Sequence, residues 1–427
     1  MELSLPPLRY ALYAAAVSMS ALLLHACESA PDSASTTAPV NNLSAAYPEN
    51  RGCELPLQAP PPTASTSEFS QFAWQQFVAL NWPASAQRGK PDCQRSIGAS
   101  GPTVWETFKT TDQLFLPGAA DPGPWQSGPL TEFTLDHRAK ADPSLPVEES
   151  IRQAVGGWLI DQQGNPTYYS ISVNQVSYEY IVGHHFYNAN VVSQASSIRF
   201  PDYAMEIKAA WRILTDQDDP SRFHKIQAQV TVYDDQGEST GQTKPAQVGL
   251  VGLHIVYKAP GFPQWVWATF EQVDNTEPNA HGKASYYNEH CQGPYCTPNI
   301  SPEKTGQPFT SPNQINRVTP VVPAVSTVNT RWRSKLSGTP FQYYRLIAPQ
   351  WPSDPQDPGD PQGTPTPGTV ANTVMESYIQ PTSSCMDCHS TARVPGGRVK
   401  SDYSFTFLFA QPSSGQSRDT SREGAQP

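Results

Sequence analysis

The sequence predicts an α+β protein, a largely antiparallel sheet covered by helices. Two observations carry that expectation. From about residue 155 to 275 apolar residues recur every second position in runs separated by turn signals, which is the strand period and implies hairpins, not alternating βαβ units. The first 150 residues hold aromatic-rich segments with helical spacing, the available cover for the sheet's apolar faces.

In chain order, residues 1–26 read as a signal peptide. One early cation, Arg9, precedes a mostly apolar run over residues 11–26, too short and too broken by Ser for a membrane span. Leu24-His25-Ala26-Cys27 is similar to a bacterial lipobox, with Cys27 as the lipidated residue and His25 where a small residue is usual. That places the protein in the periplasm, held to the membrane by a lipid on Cys27, or secreted if cleavage is ordinary. Residues 27–60 form a Ser/Thr/Pro/Ala-rich tether with nothing to bury, which suits a lipid-anchored domain standing off a membrane.

Residues 61–348 are expected to form the helix-covered sheet domain. "TSEFSQFAWQQFVALNWPAS" opens it as a helix capped by Ser67, with Phe69, Phe72, Phe77 and Leu80 on its apolar side and a stop at Pro83. "PTVWETFKTTDQLFLPG" repeats the pattern between Pro102 and Pro117-Gly118. Strands follow. "GWLIDQQGNPTYYSISV" turns at Gln163-Gly164-Asn165, and in "YAMEIKAAWRI" Met205, Ile207, Ala209, Trp211 and Ile213 alternate with Glu206, Lys208 and Arg212. "KIQAQVTVYDDQGESTGQ" turns near Asp235-Gln236-Gly237, and "QVGLVGLHIVYK" and "QWVWATFEQV" are apolar runs joined by "APGFP". Residues 349–371 are a Pro-rich linker, "ANTVMESYI" a short helix, residues 372–411 a small carboxy-terminal segment and residues 412–427 a disordered tail.

Composition narrows the function. Charged residues are 15% of the chain against a usual ~25%, and Pro, 44 of 427, is about twice its usual share. A net charge of -10 with no basic run sets nucleic acid aside as a partner and favours a basic one. Of seven cysteines, Cys27 goes to lipid and Cys385 and Cys388 stand apart as a pair, leaving four in an oxidising compartment. Cys291 and Cys296 flank a Gly-Pro loop and pair with each other, which leaves Cys53 with Cys93.

Cys385-Met-Asp-Cys388-His389 is a Cys-x-x-Cys-His motif. At these residues the chain resembles c-type cytochromes, and as a whole it resembles uncharacterised lipoprotein-like cytochrome c family proteins, from which no activity carries over. The resemblance implies one covalent haem c, with Cys385 and Cys388 as thioether anchors and His389 as the axial iron ligand. The segment 372–411 is then a haem-c segment. Two other readings are open. A Cys385–Cys388 disulfide leaves His389 unexplained, and zinc needs further ligands, which Cys291 and Cys296 would have to supply. Tyr403, Phe405, Phe407, Leu408 and Phe409 are candidate apolar walls, and Arg393, Arg398 and Lys400 candidate propionate partners.

Neither Met nor His follows His389, so a second iron ligand has to come from upstream. Met375 is nearest in sequence and is the metal-ligand candidate, with packing as its ordinary role. His254 interrupts an apolar strand and must find a partner or line a site. His184-His185 offers one further candidate, since adjacent strand residues face opposite ways. The resemblance favours an exported mono-haem electron carrier serving a periplasmic redox partner. The large β domain and the missing downstream ligand favour instead a haem enzyme, peroxidase- or oxygenase-like, or a small-ligand sensor.

Overall fold

Alternation along the central strands puts apolar side chains on both faces of one sheet, and the two faces are covered by different parts of the chain. A computed structural model describes residues 52–136, 157–279, 282–359, 362–396 and 398–413. The signal peptide, Cys27, most of the tether and nearly all of the tail lie outside the described residues.

Among the described residues there are nine strands: β1 (Lys109–Thr110), β2 (Thr134–Leu135), β3 (Tyr168–Val173), β4 (Met205–Ile213), β5 (Lys225–Tyr233), β6 (Ser239–Tyr257), β7 (Val266–Gln272), β8 (Tyr344–Pro352) and β9 (Pro365–Thr366). Their order is β1-β3-β4-β6-β7-β8-β9, with β5 paired to the first half of β6 and β2 paired to β5. Every pairing is antiparallel except β2 with β5. The fold is therefore α+β with a large, mainly antiparallel sheet, as the period-two pattern requires.

The first face carries Ile207, Ala209, Leu253, Ile255, Tyr257 and Phe270. The helix Thr66–Leu80 lies on it, with Phe77 stacked on Phe270 at 4.4 Å and Trp74 edge-on to the same ring. Its cap is Ser65, not Ser67: Ser65 and Glu68 form a reciprocal capping box, which an Ser67 start would forfeit. A second helix, Pro323–Lys335, is locked to the first by Trp74 Nε1 donating to Asn329 Oδ1 at 2.8 Å.

Four other expectations shift. The segment from Pro102 to Gly118 is no continuous helix but a 3₁₀ turn, the strand β1 and the one-turn helix Thr111–Leu114, because Thr110 caps a fresh start. "ANTVMESYI" folds as consecutive turns instead of a helix, with Asn372 holding it to the sheet. Residues 349–352 belong to β8, so the linker begins later than its prolines suggest. The tether ends earlier, since Cys53 is bonded to Cys93 and Leu57 O accepts from Tyr257 Oη at 2.9 Å. Both disulfides, Cys53–Cys93 and Cys291–Cys296, are formed as the cysteine arithmetic pairs them.

The described residues form one compact unit, and Met386, Val394, Phe407 and Phe409 of the motif segment belong to the sheet's core. Among the described residues no helix is long and apolar enough to cross a membrane.

Candidate functional site on the second sheet face

The polar side chains that alternate along β4 are largely withdrawn from solvent: Glu206 and Arg212 are buried and Lys208 is half-buried. Glu206, Lys208 and Ala210 of β4, Gly252 and His254 of β6, and Trp267, Thr269 and Glu271 of β7 share the second face by strand alternation. Residues 370–410 cover them. Asn372 Nδ2 donates to Thr269 Oγ1 at 2.8 Å and Phe270 O at 2.9 Å, Tyr169 Oη donates to Val374 O at 2.7 Å, and Ser404 Oγ donates to Glu206 Oε1 at 2.5 Å. Gly252 is what admits the segment: a Cβ there would stand 2.7 Å from Val374 Cγ2 and 3.3 Å from Met375 Cε.

The motif occupies the helix Cys385–Ser390, capped by Ser384, whose hydroxyl accepts from Asp387 N. Gln350 of β8, fully buried, pins this helix start: its Oε1 accepts from Met386 N at 2.8 Å and its Nε2 donates to Ser384 Oγ at 3.1 Å. On a helix, residues three and four apart share a side, which gathers Cys385, Cys388 and His389. Both thiols are unbonded, Cys385 half-buried and Cys388 exposed, and burial raises the Cys385 pKa well above its usual value.

His389 is held on three sides. Its ring lies 4.5 Å from that of Trp267 and 4.9 Å from that of Phe405. Its Nδ1 is 2.7 Å from Tyr403 O. A carbonyl can only accept, so Nδ1 carries the proton and Nε2 keeps its lone pair. Burial pushes the imidazole pKa down to about 4, against the Tyr403 bond, so the ring is neutral at physiological pH.

A group of polar side chains borders the motif. His254 pairs with Lys208 across β4 and β6 and with Thr269 across β6 and β7. Its Nε2 is buried without a hydrogen-bond partner, and Glu376 Oε2, at 3.7 Å, is too far to accept. Such an orphan costs about 1–3 kcal/mol. Burial, then the charges of Lys208 and His389, hold the His254 pKa well below its usual value. Burial raises Glu376 to about 7, opposed by Lys208, and Glu376 Oε2 already accepts from Asn372 N at 2.8 Å. Lys208 also lies over the Tyr169 ring at 5.5 Å.

The other candidates divide between this face and places away from it. Met375 is fully buried in an apolar cluster with Tyr169, Ala210, Phe223, Val251 and Val374. Of the aromatic run, Phe405 touches His389, Tyr403 supplies its carbonyl, and Phe407 and Phe409 pack into the main core. Arg393 and Arg398 are exposed, with Arg393 Nη1 donating to Arg398 O at 3.3 Å. His184 and His185 follow the helix Gln175–Gly183 and are not strand residues; His184 Nδ1 bonds Tyr180 O at 2.8 Å. Cys291 and Cys296 are spent on each other, which removes them as zinc ligands. Among the described residues no cluster of three or more His, Cys, Asp and Glu is placed to hold a metal ion.

Two cavities, of about 470 and 690 Å³, lie away from the motif. The first is walled by Arg212, Asp218, Arg222 and Asp274, whose charges already pair: Arg212 with Asp161 and Asp218, Arg222 with Asp274.

Sequence reasoning missed Trp267, Gln350 and Glu376. Glu206 shows why the second face misleads. It is 7% exposed and burial raises its pKa to about 7 from 4.5. A carboxyl whose folded pKa is raised loses stability as pH climbs between the unfolded and folded values, here from 4.5 to about 7. Relative to the parent, Glu206→Gln should therefore gain about 1–3 kcal/mol between pH 5 and pH 8. Denaturant melts at the two pH values measure this; a difference independent of pH would show that Glu206 ionises freely.

Comparison of the chain with protein-family models, with curated proteins and with solved structures finds no match in any of the three.

Proposed function

We propose that the protein is an exported mono-haem c-type cytochrome that transfers electrons through a haem held by Cys385, Cys388 and His389. The observation that carries this reading is the Nδ1–H bond from His389 to Tyr403 O, which leaves Nε2 of a half-buried, neutral imidazole free to donate its lone pair, on the same helix side as two unbonded thiols. A haem bound there would supply a one-electron iron couple. The chain's own part is to fix and shield it. Cys385 and Cys388 would hold the haem covalently and His389 would offer its Nε2 lone pair to the iron, while the Tyr403 carbonyl orients the imidazole and raises its basicity. Trp267 and Phe405 flank the imidazole.

Two disulfides support export, and the similarity of Leu24–Cys27 to a lipobox supports a lipid anchor facing a periplasmic redox partner. The test is purification from cells that make c-type haem, followed by denaturation. The expected result is one haem per chain that stays with the polypeptide and cycles between oxidised and reduced forms. A chain recovered without covalent haem would refute the reading. An iron that is high-spin and binds carbon monoxide would favour an enzyme or small-ligand sensor over a carrier.

A further inference from the structure

His254 carries a ring nitrogen beside the motif, Nε2, that is buried without a hydrogen-bond partner. Its strand lies between β4 and β7, so its Cβ is set by pairing on both sides. Its side chain stands on the face that also presents Trp267, against which His389 packs. Its Nε2 is sealed from solvent yet bonded to nothing, and the nearest carboxylate oxygen, on Glu376, is engaged by Asn372 N. The groups facing it are Lys208 from β4, Thr269 from β7, Glu376 from the covering segment and His389 from the motif helix.

Met375 needs no such explanation. A thioether among Tyr169, Phe223, Val251 and Val374, its methyl against Gly252, is satisfied by packing. An imidazole nitrogen is not. We propose that His254, and not Met375, is the second protein ligand of the iron that His389 binds. This rests on the haem reading of the motif. In that role the orphan Nε2 lone pair gains its partner, and the rigid central strand gives the ligand a fixed position.

The experiment compares absorption and electron paramagnetic resonance spectra of the haem-loaded parent, His254→Ala and Met375→Leu, each with and without carbon monoxide. The parent and Met375→Leu should be low-spin and indifferent to carbon monoxide. His254→Ala should become high-spin and bind carbon monoxide stoichiometrically, and added imidazole should restore the low-spin spectrum. Should His254→Ala fail to fold, His254→Gln keeps a polar side chain there and is read in the same way. A His254 variant with the parent's low-spin spectrum overturns the proposal, as does a parent that is itself high-spin. Opening of the iron by Met375→Leu alone would assign the ligand to sulfur and overturn it too. All of these require covalent haem; a parent without it sinks the haem reading as well, so the two failures are told apart.

Discussion

Protein carrying Cys385→Ala and Cys388→Ala together should lose all covalently held haem, while each single variant should keep haem on one remaining thioether. The double change removes both nucleophilic sulfurs and leaves the rest of the site standing. Both residues lie on the helix Cys385–Ser390, where alanine is the best helix former. The capping bond from Ser384 and the Gln350 contacts use backbone and neighbouring side chains, so they survive. Cys388 is exposed and Cys385 only half-buried, so truncation opens little cavity. The double variant should thus fold with a melting curve near the parent's and yield no haem-stained band after denaturing electrophoresis. His389 remains able to donate Nε2, so haem added to the purified double variant should bind weakly and wash out on denaturation. Covalent haem surviving in the double variant would place the attachment elsewhere in the chain.

The parts of this site legible in sequence are those whose chemistry is local. Cys385, Cys388 and His389 are set by spacing on one helical turn, and the two disulfides by parity and loop length. The strands β4 to β7 follow from alternation and turn signals. What alternation cannot say is what covers a strand's second face. Alternation sets Glu206 and Lys208 opposite the apolar face, and a segment some 160 to 200 residues later lies over them, burying Glu206 and leaving Lys208 half-buried. Such a face is recognisable only through its exceptions: a histidine at 254 in an apolar run, and a glycine at 252 that makes room for Val374 and Met375. Trp267 and Gln350 carried no comparable signal, because a tryptophan in an apolar strand and a glutamine near its end are ordinary. The expected helix at 371–379 failed for a related reason. Its residues spend Asn372, Thr373 and Val374 on bonds to the sheet, and those bonds replace helical ones.

The turn that orients His389 is itself held by a buried ion pair, and breaking that pair should be among the most damaging single changes in the chain. Asp402 and Tyr403 both have left-handed backbone, φ 54° and 67°, a conformation costing roughly 1–2 kcal/mol per non-glycine residue. Asp402 offsets this through four contacts. Its carboxylate accepts from Lys258 Nζ at 2.8 and 2.9 Å and from Phe200 N at 2.7 Å, and its carbonyl accepts from Trp265 Nε1 at 2.9 Å. The side chains of Lys258 and Asp402 are 8% and 11% exposed. Lys258→Met keeps the apolar stem and removes the ammonium, leaving a buried carboxylate without its counter-charge, which costs about 3–5 kcal/mol. Burial already raises the Asp402 pKa, with Lys258 pulling the other way, so losing Lys258 raises it further. A raised carboxyl pKa penalises the folded state as pH climbs above the unfolded value; the deficit of Lys258→Met should therefore be largest near pH 8 and shrink towards pH 4. Adding Asp402→Asn removes the stranded charge and keeps an acceptor for Phe200 N, so the double variant should recover most of the loss. Equilibrium unfolding of the four proteins at both pH values gives the coupling between the two residues directly. Additive losses in the single and double variants would mean that the pair contributes nothing as a pair, and that Tyr403 is held towards His389 by the Trp265 and Phe200 bonds alone.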